Sequence, residues 1–288
     1  MSEWVGVHVD AITPRGNQGD VDIGATFELV DYLCAAGVRG IVLFGVTGEY
    51  PAFYCEERSR LIYMAAKRSR VPVMAGAGGA TLDQTLENAR GARESGASAI
   101  VVPPPFCVRF EADDLREFFW EFERQLGGGV PLYLANIPAF CSAIPVEVAA
   151  ELMASGKFAG IVDGCGASGG ETIVGDDERI VEGRRAGCRG VLSAAACAIP
   201  EVVVALDRVL DRGDALEVDR LDGAVQEFCR WAKRFPSPAA IQAATAVRGP
   251  KTGSPSTPLS DAKQKLMDEF RAWFRDWLPE VRKLAMHV

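Results

Sequence analysis

Short runs of β-branched and other apolar residues alternate along this chain with segments of helical periodicity. The first run is Val5 to Ile12, and the last lies at Val191 and Leu192. Between them, apolar residues recur at helical spacing, as in the segment from Ile23 to Cys34. Strands that alternate with helices in this way are typical of βα units, in which helices cover a parallel sheet. The sequence therefore predicts an α/β protein.

The number of strand-like runs and the chain length select one architecture within this class. Eight runs can be counted in 288 residues, which suits a (β/α)8 TIM barrel with an appendage. After Gly213 the alternation stops and the pattern becomes helical throughout. We therefore predict a barrel over residues 1–212 and a C-terminal helical extension over residues 213–288.

One predicted connection is too short for a regular barrel. Only the seven residues from Gly164 to Gly170 separate Asp163, which ends the sixth strand, from Glu171, which starts the seventh. A parallel crossover normally takes about a dozen residues and usually contains a helix. We expect the sixth barrel helix to be missing or shortened, and a second subunit or the C-terminal helices to cover the apolar surface left there.

The charge of the chain argues against two classes of partner. The net charge is −8 and the basic residues are scattered, so neither nucleic acid nor an anionic membrane surface attracts this chain. No apolar stretch is long enough for a membrane helix, and the first residues lack a secretory signal pattern. The expected location is the cytoplasm.

The eight cysteines have no metal-site spacing. There is no C-x-x-C pair, and the only histidines are His8 and His287. Isolated cysteines of this kind are usually small core residues in a reducing compartment. A thiolate or soft-metal site remains an alternative, because Cys107, Cys141 and Cys165 each follow a predicted strand end. We expect no metal and no cofactor.

Motifs at several predicted strand ends resemble the dihydrodipicolinate synthase / N-acetylneuraminate lyase family. Gly45 to Glu49 resembles the family's G-x-T-G-E signature, and Ala135 to Pro138 resembles its Tyr-Asn-Val-Pro. The turn Gly175-Asp176-Asp177 and the strand Gly190 to Ser193 extend the resemblance over essentially the whole chain. The resemblance implies a small carboxylate, keto acid or sugar acid as ligand. It also implies a homo-oligomer, either a dimer or a tetramer.

The resemblance also implies where the ligand binds. In the family, the hydroxyl of the signature threonine and nearby backbone N–H groups hold the carboxylate of a keto acid, and glycines let the amides approach it. An ordinary tight turn is the alternative for this motif. The implied ligand-binding residues are Val46, Thr47, Gly48, Glu49, Asn136, Gly175 and Leu192.

Four chemical groups of the family are replaced in this chain. Val162 stands where the family has the lysine that forms a Schiff base with pyruvate, and Ala135 where it has a proton-relaying tyrosine. Phe106 replaces a second tyrosine of the relay, and Phe140 an arginine that binds the second substrate. A Schiff base needs an amine nucleophile, and no lysine lies on a predicted barrel strand. Pyruvate-aldolase chemistry is therefore not expected.

His8 and Asp10 are the candidates for a replacement chemistry. They share the face of the first strand opposite the valines, and this polar face is expected to line the barrel interior. A buried carboxylate there has a raised pKa unless a partner stabilises it, so the pair can act as a general base or bind a cationic or hydroxylated ligand. The alternatives are a structural polar pair, or a one-residue shift that turns both side chains outward.

Two functions remain open. The first is a divergent lyase-like enzyme that acts on a small carboxylate or sugar acid without a Schiff base, with Asp10 and His8 as catalytic residues. The second is a non-catalytic pseudoenzyme that binds a small carboxylate as a sensor, carrier or scaffold. The polar pair favours the enzyme, whereas the apolar replacements at Val162, Ala135, Phe106 and Phe140 favour the pseudoenzyme.

Overall fold

The computed structural model describes residues 4–162, 171–286 and 288. Within these residues, eight parallel strands form a closed barrel in sequential order, with β8 paired to β1. The α/β class and the (β/α)8 barrel predicted from the sequence are thus confirmed. The strands are β1 Gly6–Asp10, β2 Gly40–Leu43, β3 Val73–Gly76, β4 Ile100–Val102, β5 Leu132–Ala135, β6 Gly160–Val162, β7 Glu171–Val174 and β8 Gly190–Ser193.

Helices surround the barrel and continue beyond it. One helix follows each of the first five strands, and α6 and α7 follow β7 and β8. Three more helices, α8 to α10, form the C-terminal segment. The bounds are α1 Ile23–Ala35, α2 Cys55–Arg68, α3 Leu82–Glu94, α4 Ala112–Leu126, α5 Val146–Ala154, α6 Ile180–Arg185, α7 Pro200–Arg212, α8 Ala215–Ala232, α9 Ala239–Val247 and α10 Asp261–Met286.

Local sequence signals set several helix boundaries. The carboxylates of Asp22 and Asp214 accept backbone N–H groups at the first turns of α1 and α8, which satisfies donors that a helix leaves unpaired. Gly127 and Gly213 end α4 and α7 with φ angles of 75° and 73°, a left-handed conformation that glycine adopts readily. No helix in the described residues combines the length and apolarity needed to span a membrane.

An aromatic cluster joins two of the C-terminal helices to each other. Phe228 of α8 packs against Phe274 of α10, with ring centroids 5.8 Å apart, and stacks on Trp277 at 6.4 Å. Such rings bury large apolar areas, so this cluster attaches α10 to α8. The division at residue 212 stays a prediction.

The short sixth connection lies between two neighbouring strands. β6 and β7 pair in parallel, with Gly160 opposite Glu171. The predicted loss of the sixth helix concerns residues 163–170. These residues, Cys165 among them, lie outside the described residues. It therefore stays a prediction, as does the surface that it would uncover.

Side chains close the barrel interior towards the amino-terminal ends of the strands. Trp4 stacks on His8, with ring centroids 4.7 Å apart, and tilts against Tyr133 at 5.0 Å. A Cβ atom on Gly40 would lie 2.4 Å from His8 and 2.8 Å from Met74, so the missing side chain leaves room for both. We call Trp4, His8, Met74 and Tyr133 the lower layer.

Candidate functional site

A cavity of about 790 Å³ opens above the lower layer, at the carboxyl ends of the strands. Catalytic sites of (β/α)8 barrels lie at this end, and the volume suits a small molecule. The βα loops and the segment between α8 and α9 form the cavity walls. Its floor consists of interior side chains of the strands, which are Asp10, Val42, Val101, Ala135, Val162 and Leu192.

Asp10 is the last residue of β1, and its carboxylate is bound by the loop after β2. Oδ2 accepts hydrogen bonds from the Thr47 backbone N–H at 3.0 Å and from the Thr47 hydroxyl at 2.7 Å. A Cβ atom on Gly45 would lie 1.9 Å from Oδ1, so only glycine leaves room for this carboxylate. Oδ1 is buried and has no hydrogen-bond partner. One half of the carboxylate is therefore satisfied and the other half is not.

Burial gives Asp10 an acidity suited to proton transfer near neutral pH. It raises the pKa of Asp10 from 3.8 to about 6, and the two hydrogen bonds from Thr47 oppose this rise. The charged form loses more solvation on burial than the neutral form, which is why the pKa moves upward. Carboxyl groups with such pKa values are common at functional sites.

His8 faces the barrel interior with Asp10, as the alternation along β1 predicts, but belongs to a different layer. Its ring is fully buried against Trp4, and Nδ1 lies 3.3 Å from the Gly6 carbonyl oxygen. The hydrogen bonds that lower the pKa of Asp10 both come from Thr47. The structure therefore gives Asp10 a threonine partner, and it gives His8 a position in the lower layer.

Most of the ligand-binding residues implied by the resemblance border the cavity. They are Val46, Thr47, Asn136, Gly175 and Leu192. The Oδ1 atom of Asn136 accepts the Ile144 backbone N–H at 2.9 Å, so this amide also holds the loop after β5.

Gly48 and Glu49 are not among the described residues that border the cavity. The Gly48 carbonyl accepts the Thr13 hydroxyl at 2.8 Å. Glu49 accepts hydrogen bonds from Arg15 at 3.4 Å, from Gln242 at 3.2 Å and from Ser256. Glu49 thus connects the β2 loop to the C-terminal segment, and its role in ligand binding stays a prediction.

The apolar replacements occupy different parts of the site. Ala135 and Val162 are register partners at the ends of β5 and β6, and both belong to the cavity floor. Phe140 borders the cavity with 52% of its surface exposed. Phe106 packs edge-on against Tyr50, which itself borders the cavity, with ring centroids 5.7 Å apart.

The sequence analysis missed two polar residues of the cavity wall. Tyr50 follows the β2 loop, and burial raises its pKa to about 12. Asp177 accepts the Ser193 hydroxyl and, at 2.8 Å, the Ala195 backbone N–H, and burial raises its pKa to about 6. Its position in a Gly-Asp-Asp turn after a strand was the available signal for Asp177.

Lys233 also borders the cavity, although its sequence position at the end of a helix gave no sign of it. The packing of α8 brings this residue to the rim, where Lys233 forms an ion pair with Glu178. The hydrogen bond to Glu178 raises the pKa of Lys233. The ammonium form is therefore stabilised.

The ionisable groups around the cavity are mainly acidic. Arg179 and Lys233 are the cations among the described lining residues, and each is paired with a carboxylate, Glu182 in the case of Arg179. The acidic lining residues are Asp10, Asp176, Asp177 and Glu178. In the described part of the chain, no group of three or more His, Cys, Asp or Glu residues is arranged to hold a metal ion.

Comparisons with known proteins agree with this architecture. The profile of the dihydrodipicolinate synthetase family matches residues 3–275. An uncharacterized DapA-like lyase of Halobacterium salinarum is 28% identical over 270 residues, covering 88% of each chain. The 4-hydroxy-tetrahydrodipicolinate synthase of Bartonella henselae is 28% identical over 280 residues, covering 90% of this chain and 94% of the synthase.

A solved structure gives the same fold. The sialic acid aldolase of Ruminococcus gnavus superimposes with a TM-score of 0.87, covering 97% of this chain and all of the aldolase chain. The sequence identity is 19%, so this likeness concerns the fold alone.

Proposed function

We propose that this chain, which belongs to the dihydrodipicolinate synthetase family, is a lyase-like member that handles its ligand without a Schiff base. The observation that carries the proposal is the position of Val162, whose side chain belongs to the cavity floor beside Ala135. An imine requires a neutral amine at the reacting carbon, and valine provides none.

Lys233 does not replace the missing amine. It is the one lysine among the described residues that border the cavity. Its ion pair with Glu178 raises its pKa, so Lys233 is protonated at neutral pH and has no free electron pair for a carbonyl carbon. The cation is suited to electrostatic contact with a ligand at the rim.

Asp10 is the group that we assign to proton transfer. At neutral pH a carboxyl group with a pKa of about 6 is mostly ionised and can accept a proton from a bound ligand. The hydrogen bonds from Thr47 fix the carboxylate in the cavity floor. The relatives named as lyase and synthase support bond-making or bond-breaking chemistry on a small molecule.

A non-catalytic binding protein is the second candidate. It is favoured by the apolar floor, because Val42, Val101, Ala135 and Val162 offer no polar group to a reaction. Deuterium incorporation from D₂O into carbon positions of small hydroxy acids, sugar acids and amines, followed by NMR, separates the two candidates. If the protein is an enzyme, we expect wild type to incorporate deuterium into at least one compound and the Asp10→Asn variant to incorporate none. If wild type incorporates deuterium into none of the compounds, the result supports the binding protein.

Trapping with borohydride tests the absence of a Schiff base. The protein is incubated with pyruvate and borohydride, and its intact mass is measured alongside a family member that carries the lysine. We expect the mass to stay unchanged here while the control protein gains reduced pyruvate. An adduct on this protein would overturn the proposal, and its loss in Lys233→Ala would identify the responsible amine.

The homo-oligomer and the cytoplasmic location stay proposals. Exposed apolar side chains support self-association, among them Phe140 at 52% and Val108 at 55% exposure.

A further inference from the structure

We infer that the cavity selects a small primary ammonium ion with an apolar body over a ligand with a carboxylate head, because Asp10 already occupies the hydrogen-bond donors of Thr47. The inference rests on the proposed function in one respect, that the ligand is held without a covalent bond. It names the class of ligand that the same site takes.

The donors of Thr47 are the first step. A backbone N–H and a hydroxyl that converge on one oxygen form a site for a carboxylate. In this protein the oxygen is Oδ2 of Asp10, at 3.0 Å from the N–H and 2.7 Å from the hydroxyl. The chain thus supplies its own carboxylate, and a ligand carboxylate at Thr47 has to displace it or lie beside it. Two carboxylates side by side in a buried site repel each other strongly.

The unpartnered oxygen is the second step. Oδ1 of Asp10 is buried against Gly45 without a hydrogen bond, so the protein compensates the negative charge of this carboxylate only in part. Only 9% of the Asp10 surface is exposed, and this residue borders the cavity. A ligand ammonium group in the cavity compensates the negative charge of this carboxylate. A ligand carboxylate adds a second negative charge beside it.

The charge and polarity of the lining are the third step. Among the described lining residues, four carboxyl groups face two cations, and both cations are already paired with carboxylates. The potential in the cavity is therefore negative and attracts cations. The floor around Asp10 is aliphatic, with Val42, Val101 and Val162, and gives an apolar body a surface to pack against.

Three probes with the same four-carbon body test this selectivity by calorimetry: n-butylammonium, n-butanol and butyrate. At about pH 8, roughly two units above the pKa of Asp10, we expect wild type to bind butylammonium at least about tenfold more tightly than butyrate. Butanol is expected between them, because it donates a hydrogen bond but carries no charge.

Asp10→Ala removes the internal carboxylate and vacates Thr47. We expect the order to invert, with butylammonium about tenfold weaker and butyrate about tenfold tighter than in wild type. The double variant Asp10→Ala/Thr47→Val makes the same charge change without restoring the hydroxyl donor. We expect the double variant to lose most of the butyrate affinity that Asp10→Ala gains. This comparison separates the effect of the freed Thr47 hydroxyl from the effect of removing the negative charge of Asp10. Circular dichroism and thermal melting confirm that each variant is folded.

Three results would overturn the inference. The first is that wild type binds butyrate as tightly as butylammonium. The second is that Asp10→Ala binds butyrate no more tightly than wild type does, and the third is that wild type does not bind butylammonium in the millimolar range. Each of them leaves the absence of a pyruvate adduct intact. An adduct, in turn, overturns the proposed function without changing the order of these probes, so the two failures are distinguishable.

Discussion

The lower layer and the cavity floor are two regions of one barrel interior, and β1 contributes a polar residue to each. His8 is fully buried in the lower layer, where its ring stacks on Trp4 at 4.7 Å. Asp10, two residues further along the same face, borders a cavity and has one oxygen without a hydrogen bond. The lower layer is a packed core, whereas the floor holds a polar group at a cost in stability.

This difference separates structural from functional polar residues. Barrel interiors are normally filled by layers of side chains, and a polar group inside such a layer is stabilised by packing and hydrogen bonds. A carboxyl group whose pKa is raised by burial, and which borders a cavity, can act on a ligand. Position along the barrel axis, rather than residue type, decides which case applies.

Truncation in the lower layer is expected to have the largest effect. Trp4 is 1% exposed and contacts both His8 and Tyr133, so Trp4→Ala leaves a large void in the core. We expect the free energy of unfolding to fall by about 3–5 kcal/mol in urea titrations. The exposed Leu216 provides the control, since Leu216→Ala should change it by less than about 0.5 kcal/mol. Equal effects of the two variants would contradict a packed lower layer.

Removing the charge from the floor is expected to have the opposite sign. Burial raises the pKa of Asp10 from 3.8 to about 6, so the folded chain binds this proton more tightly than the unfolded chain. Wild type therefore loses stability as the pH rises from about 4 to about 6, and the loss is complete above that window.

Asp10→Asn removes this contribution. We expect the variant to be about 1–3 kcal/mol more stable than wild type at neutral pH, with a smaller dependence on pH in the same window. Some dependence remains, because burial also raises the pKa of Asp177 to about 6. Unfolding titrations at several pH values measure both effects, and a variant less stable than wild type at neutral pH would assign Asp10 a structural role.

Thr47→Val is expected to change stability by about as much as Asp10→Asn, but in the opposite direction. Valine keeps the shape of threonine and the backbone N–H, but loses the hydroxyl that donates to Asp10 at 2.7 Å. One hydrogen bond to a charged group contributes about 2 kcal/mol, so stability at neutral pH should fall by about this amount. In the Asp10→Ala background the same change should cost much less. A double-mutant cycle measures the coupling, and its absence would contradict the Asp10–Thr47 contact.

Some of the site could be predicted from the sequence because it depends on periodicity. The two-residue repeat of a strand turns His8 and Asp10 to the face opposite Val7 and Val9, whose side chains are buried in the core between barrel and helices. The carboxyl end of β6 likewise placed Val162 at the cavity. Gly48 and Glu49, which the motif implied as ligand-binding residues, are not among the described residues that border the cavity, and their role in binding stays a prediction.

The sequence by itself determined the closed barrel and the residues available at its mouth, because strand alternation and helical periodicity are local properties of the chain. Only the tertiary structure decided which groups meet there. Thr47 donates to Asp10 across 37 positions of sequence, and Lys233 reaches the rim only because α8 packs on the barrel. Hydrogen bonds and ion pairs depend on distances of a few ångströms between side chains, and these distances are fixed only when the strands and helices pack together.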